Sequence, residues 1–182
     1  ELRDFVTPIA MLDPVMQKKA HVCGQVSSIR KIITKRGKKL VIIGLEDATA
    51  RMDVVVFGEV FDTYPNPLAS GDMLVIEGEV GHDDYSGGVK ITANQLYDIA
   101  SARTKFSRCL EISITAELLD KLEDIQIILK AHSGRCPVQF CYTNAAAKAV
   151  LNTPQKWHVN PTDELRHHLT TMLGDGLVVM RY

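Results

Sequence analysis

The 182-residue chain has no long apolar run, no paired cysteine motif, few aromatic residues and no excess of one charge. No apolar stretch approaches the roughly 18 residues needed to cross a bilayer, and Glu1-Leu2-Arg3-Asp4 does not open a secretory signal. The chain therefore reads as soluble and intracellular. Cys23, Cys109, Cys136 and Cys141 are scattered without a C-x-x-C pair, so they indicate neither a zinc site nor a disulfide framework and read as reduced structural thiols. A net charge of -1 argues against recognition of nucleic acid by the overall field of the protein. Phosphate-loop, dinucleotide-loop and nucleophile-elbow motifs are all missing from the sequence. Adjacent acids at Glu46-Asp47, Asp83-Asp84 and Glu123-Asp124 fall at a strand end, a hairpin tip and a polar helix face, where they do not converge on paired metal ions. His167-His168 are neighbours, about 100° apart on a helix, and lack the i, i+4 spacing that lets two imidazoles share an ion. No catalytic residue, metal or cofactor is expected.

Hydrophobic residues make up 46% of the chain, enough for packed cores. Five runs rich in Val and Ile, at 21–33, 40–46, 51–57, 73–80 and 89–99, are bounded by Gly, Asp, Asn or Ser and read as strands of an all-β unit. A helix-compatible stretch, 59–64, falls between the third and fourth. That order is the order of an OB-fold barrel, whose binding surface lies on the middle strands and on the loops joining strands 1 to 2 and 4 to 5. Met52, Val54 and Val56 alternate with Asp53, Val55 and Phe57, and Leu74, Ile76, Gly78 and Val80 form a second alternating set; both should face the core. In the first run the parity of Val22, Gly24 and Val26 breaks at Ser27-Ser28, which predicts a bulge. The turn Thr34-Lys35-Arg36-Gly37-Lys38-Lys39, with Arg30 and Lys31 before it, gathers positive charge suited to phosphates. Phe57, Tyr85 and Lys90 complete the nucleic-acid candidates, although two aromatics are a sparse stacking platform and Asp83 and Asp84 flank Tyr85. A charged hairpin tip that merely keeps a sheet edge soluble is the competing reading.

Residues 1–20, with Pro8 and Pro14, read as a leader packed on a barrel domain of 21–105, and residues 106–182 as a second, α+β domain. Its expected order is strand, helix, strand, strand, helix, strand, resembling a split βαβ unit. The strands fall at 110–114, 138–142, 157–159 and 177–182. Thr115 should cap the first helix, with Leu118, Leu122, Ile125 and Leu129 on one face, and Ser133-Gly134 should end it. Asn160-Pro161 should open the second helix, and 145–151 reads as a helical or irregular crossover. Trp157, Met180 and Tyr182 are the candidate partner anchors, because aromatic residues dominate binding hot spots and the last strand is partly apolar on both faces.

Several motifs together resemble one family. Val22-Cys23-Gly24-Gln25-Val26, Leu45-Glu46-Asp47, Asp53-Val54-Val55-Val56-Phe57 and Tyr97-Asp98-Ile99 look like the OB domain of the bacterial DNA polymerase III alpha subunit. Pro137-Val138, Trp157-His158-Val159-Asn160-Pro161-Thr162-Asp163-Glu164-Leu165 and Leu173-Gly174 continue the likeness. It implies a non-catalytic, cytoplasmic C-terminal piece of that polymerase, without cofactor. In it the OB domain would make weak contact with single-stranded template DNA, and the last domain would dock the tau subunit of the clamp loader within the holoenzyme. The V-x-G-x-V and L-x-D motifs also resemble tRNA-binding barrels of aminoacyl-tRNA synthetases, which leaves a tRNA-binding module as the alternative.

Overall fold

Strand β1 (Lys19–Ile33) is bent because it serves two neighbours in succession. In this computed structural model, which describes residues 2, 4–35, 37–83 and 87–182, its first half pairs with β4 (Met73–His82) and its second with β2 (Lys39–Glu46). The register shifts between Val26 and Ser28, the bulge that the broken parity predicts. A Cβ on Gly24 would lie 2.6 Å from the Glu46 carbonyl oxygen, so only glycine allows the strands to approach there. Strand β3 (Arg51–Phe57) pairs antiparallel with β2 and parallel with β5 (Val89–Tyr97), and β5 returns antiparallel to β4. The five strands close a barrel in the order β1-β2-β3-β5-β4, with helix α1 (Gly58–Asp62) between β3 and β4, which is an OB fold.

Both alternating sets face inward as expected: Met52, Val54, Val56, Leu74, Ile76 and Val80 are buried with Val22, Ile43, Leu45 and Ile91. Ile9 and Leu12 of the leader belong to the same core. Contacts divide the chain into units 2–99 and 100–182, six residues before the boundary that composition suggests. The difference is helix α2 (Ile99–Phe106), whose buried Arg103 binds partners in the second unit.

In that second unit, β6 (Cys109–Ile114) lies between β10 (Val178–Arg181) and β8 (Val138–Thr143), and β9 (Lys148–Asn152) forms the far edge. β6 and β8 are parallel and directly hydrogen-bonded, joined through helix α3 (Leu122–Ala131) and the short strand β7 (Ser133–Cys136). The unit is therefore an unsplit βαβ crossover with added edges, whereas the sequence predicted a split one. Helix α4 (Asp163–Leu173) precedes β10. Ile125, Leu129, Leu165, Leu169 and Leu173 from the two helices pack with Leu110, Ile112, Val138 and Met180 of the sheet in one core.

Apart from the short strand β7, which lies outside the four-stranded sheet, the order strand, helix, strand, strand, helix, strand holds, with four local corrections. The additional strand is 148–152, not 157–159: Trp157 ends a 3-10 turn, and Val159 makes only isolated bridges to Ser133 and Cys136. Residues 145–151 are thus no helical crossover, because Ala149, Val150 and Leu151 find ladder partners in Tyr142, Cys141 and Phe140. Thr115 precedes a 3-10 segment and makes no side-chain cap, so α3 starts only at Leu122. Helix α4 is capped by Thr162, whose hydroxyl accepts from the Leu165 amide at 3.2 Å, slightly later in the chain than Asn160-Pro161 implied.

Candidate nucleic-acid interface

Strand parity sorts the basic residues of the first hairpin onto two sides. Beyond the bulge, Ile32, Leu40 and Phe57 are cross-strand neighbours in one row, Arg30, Ile42 and Val55 in the next, and Ser28, Gly44 and Asp53 in a third. Val41, Ile43, Val54 and Val56 alternate with them and fill the barrel, so these rows form its outer face. Phe57 is 46% exposed and Ile32 42%, while Leu40, Ile42 and Val55 are half-buried. On that face the Arg30 guanidinium is bound to the Asp53 carboxylate.

Lys31 and Lys39 have the opposite parity. The Lys31 ammonium lies 5.5 Å from the Phe61 ring centroid, and Lys39 pairs with Asp62 at 3.7 Å. Gly58 starts α1 against Lys39: a Cβ there would meet the Lys39 Cβ at 2.6 Å. These two cations flank α1, not the surface that carries Arg30 and Phe57.

The turn itself is built from backbone contacts. The Thr34 amide donates to the Lys38 carbonyl at 2.9 Å, the Gly37 amide to the Thr34 carbonyl at 2.8 Å, and Gly37 has a φ of 73°, where glycine alone is unstrained. Lys35 and Lys38 are exposed there. Arg36 and Tyr85 lie outside the described residues. Lys90 is half-buried in a shallow cleft with Arg51, Asp53 and Asp83, so its charge is set among carboxylates. Phe57 also borders a groove with Lys38, Lys39, Thr92 and Asn94, which holds the carboxylates of Glu59, Asp62 and Glu79 as well.

The structure thus joins Arg30 and Phe57, keeps Lys35 and Lys38 at the adjoining tip, and separates Lys31, Lys39 and Lys90. What sequence reasoning missed is the apolar floor of Ile32, Leu40, Ile42 and Val55. Its signal was present: a bulge at Ser27-Ser28 takes Arg30 and Ile32 out of step with the inward-facing Val22 and Val26 and turns them to the outer face.

In the second unit the candidate anchors have three different fates. Met180 is buried opposite Leu110 and belongs to the core, so it is not an exposed anchor. The other face of β10 carries Arg181, which donates two hydrogen bonds to Glu111 at 2.8 and 2.9 Å. That pairing, opposed by burial, holds the Glu111 carboxyl below its usual range. Tyr182 is half-buried against the core. Trp157 is half-buried too, its ring edge-on to Phe140 with centroids 6.0 Å apart. Leu151, the ladder neighbour of Phe140 on the edge strand, is 57% exposed. Among the described residues no helix is long and apolar enough to cross a membrane.

Residues 20–99 match the family described as an OB-fold nucleic acid binding domain, and residues 124–174 the DNA polymerase III subunit alpha, C-terminal domain. The chain is 36% identical to the DNA polymerase III subunit alpha of Escherichia coli over its whole length, covering 16% of that protein. It is 36% identical to the Vibrio cholerae protein of the same name over 88% of its length, covering 14% of that protein. The chain therefore spans only about one sixth of the relatives it matches. Among solved structures, the second OB-fold domain of replication protein A from Methanococcus maripaludis is similar over 51% of this chain and 93% of that one, at 21% identity and a TM-score of 0.41. The single-stranded DNA binding protein of Thermus aquaticus is similar over 45% of this chain and 40% of that one, at 20% identity and a TM-score of 0.39. An OB barrel is followed here by a match to the last domain of polymerase III alpha, and the similarity to those polymerases runs from end to end, so the chain belongs to the DNA polymerase III alpha family and corresponds to its C-terminal region.

Proposed function

We propose that this chain is a non-catalytic tethering module of a cytoplasmic replicative polymerase. Its barrel makes weak contact with single-stranded template DNA, and its second unit docks the tau subunit of the clamp loader. The observation that carries the DNA half is the outer row of Ile32, Leu40 and Phe57 with Arg30 beside it, next to the basic tip with Lys35 and Lys38. Exposed apolar and aromatic surface gives bases something to lie on, while lysines neutralise phosphates without a precise site. The pairing of Arg30 with Asp53 and the carboxylates around Lys90 keep the interaction weak. Support for tau docking is the family and the apolar surface of Trp157, Phe140 and Leu151.

Titration of a labelled single-stranded oligonucleotide by fluorescence anisotropy, repeated across a salt series, tests the first half. The double variant Lys35→Glu, Lys38→Glu should bind more weakly with a flatter salt dependence. An unchanged slope rejects the basic tip, and preference for tRNA in the same assay supports the tRNA-binding alternative. Calorimetry against tau tests the second half, and no heat of binding at micromolar concentration rejects it. Nucleotide incorporation by the chain alone would overturn the non-catalytic reading.

A further inference from the structure

We propose that His132, Glu164 and His168 form a binding site for a zinc-class divalent metal ion, which ties the end of α3 to the first turns of α4. The spacing of His167-His168 does not reveal it, because the useful pair on α4 is Glu164 and His168, at i, i+4 on one helix face, and the third donor comes from another element. One ligand atom from each of the three residues lies within 4.8 Å of the others. Ligands about 2.0–2.1 Å from a tetrahedral ion sit about 3.4 Å apart. Small rotamer shifts close that difference, and Glu164 and His168 are exposed and able to make them.

His132 is the anchored member. It is the C-cap of α3; its amide donates to the Leu129 carbonyl at 3.2 Å and its carbonyl accepts from the Asn160 amide at 2.7 Å. Its Nδ1 lies 3.4 Å from the Thr162 hydroxyl oxygen. An imidazole that donates Nδ1–H to that oxygen keeps its Nε2 lone pair for a metal, the outer-shell arrangement that metal-binding histidines use. The field agrees with a cation: the C-terminal end of α3 is its negative end, and the Asp163 and Glu164 carboxylates offset the positive N-terminal end of α4. Two imidazoles and one carboxylate suit zinc, whereas calcium and magnesium require shells dominated by oxygen. Three protein donors leave a position for water, so the ion would be exchangeable from solvent.

The test is a titration of the metal-stripped, reduced 182-residue chain with Zn²⁺ by calorimetry and with Co²⁺ by absorption spectroscopy. We expect one equivalent to bind, with Co²⁺ bands in the visible and no thiolate charge-transfer band in the near ultraviolet. His132→Gln and His168→Gln should each abolish the one-to-one isotherm while leaving Trp157 fluorescence native, and His167→Gln should leave binding intact. Absence of saturable binding would overturn the proposal. So would binding that persists in the His132→Gln, His168→Gln double variant, or a Co²⁺ spectrum dominated by thiolate.

Discussion

The backbone amide of Ile9 donates to the Asp47 carboxylate across 2.8 Å, fastening the leader to the β2–β3 turn. The other carboxylate oxygen accepts from the Thr49 amide and hydroxyl and from the Ala50 amide, at 2.6 to 2.8 Å. Burial opposes the charged form, but the four donors outweigh it and hold the Asp47 carboxyl below the ordinary aspartate range. A carboxyl with a lowered folded pKa contributes stability that is complete above its unfolded pKa and disappears as pH falls through the folded value. Asp47→Ala should therefore cost the barrel about 1.5–3 kcal/mol at neutral pH, the range for hydrogen bonds to a charged group. The loss should shrink in acid, where the wild-type carboxyl is protonated too. Urea unfolding followed by far-ultraviolet circular dichroism at both pH values checks this, and a pH-independent difference would reject the carboxylate clasp.

On the outer face of the barrel, Asp53 occupies the guanidinium that DNA would use. Asp53→Asn should release Arg30 and remove a negative charge, tightening single-strand binding and steepening its salt dependence by about 0.7 per additional phosphate contacted. Phe57→Ala should weaken binding by about 1–3 kcal/mol, the usual worth of one stacked base, without changing the slope. Lys31→Ala should change little, since that side chain lies over Phe61. Anisotropy titrations of the three variants distinguish an outer-face site from general attraction to the basic tip, for which Lys31 and Phe57 would exchange roles.

The barrel is legible in the sequence because its signals are local and redundant. Met52, Val54 and Val56 alternate strictly, and the break at Ser27-Ser28 marks the bulge. Which of Arg30 and Lys31 faces outward depends on that bulge and becomes visible only when the register with β2 is known. In the second unit, the segment Ala145-Ala146-Ala147-Lys148-Ala149 has strong helix formers, yet β8 offers an unpaired edge and the ladder from Lys148 to Asn152 prevails over propensity. Met180 reads as an available apolar residue because nothing in a terminal strand states which face the helices cover. Helix α4, with Leu165, Leu169 and Leu173 at helical spacing, covers it.

All four thiols should be slow to react in the native protein. Burial raises the pKa of Cys23, Cys109, Cys136 and Cys141, and for Cys109 the neighbouring Cys136 and Glu111 raise it further. Only the thiolate attacks an alkylating reagent. Iodoacetamide at neutral pH, read by mass spectrometry, should modify Cys109 and Cys136 last, since both are buried. In urea all four should react at a common, faster rate. Rapid native labelling of Cys109 or Cys136 would show that the second unit opens on the timescale of the reagent.

Arg103 holds α2 against the start of α4. Its side chain is fully buried, with Nη2 2.7 Å from the Asp163 carboxylate and Nη1 donating to the Pro161 carbonyl at 3.3 Å. Asp163 is the first residue of α4, so its charge also favours the positive end of that helix. Arg103→Ala removes a buried side chain and leaves a cavity, and should cost about 3 kcal/mol. Asp163→Asn should cost less, about 1 kcal/mol, because that carboxylate is mostly exposed and the Pro161 carbonyl still accepts. Arg103→Lys should fall between them, since an ammonium cannot span both acceptors as the guanidinium fork does. Trp157 is the only tryptophan and packs on the core of the second unit, so its fluorescence in denaturant reports that unit separately from the barrel. A wild-type midpoint in Arg103→Ala would mean that α2 is held by its apolar contacts, with Ala102 rather than the guanidinium as the pin.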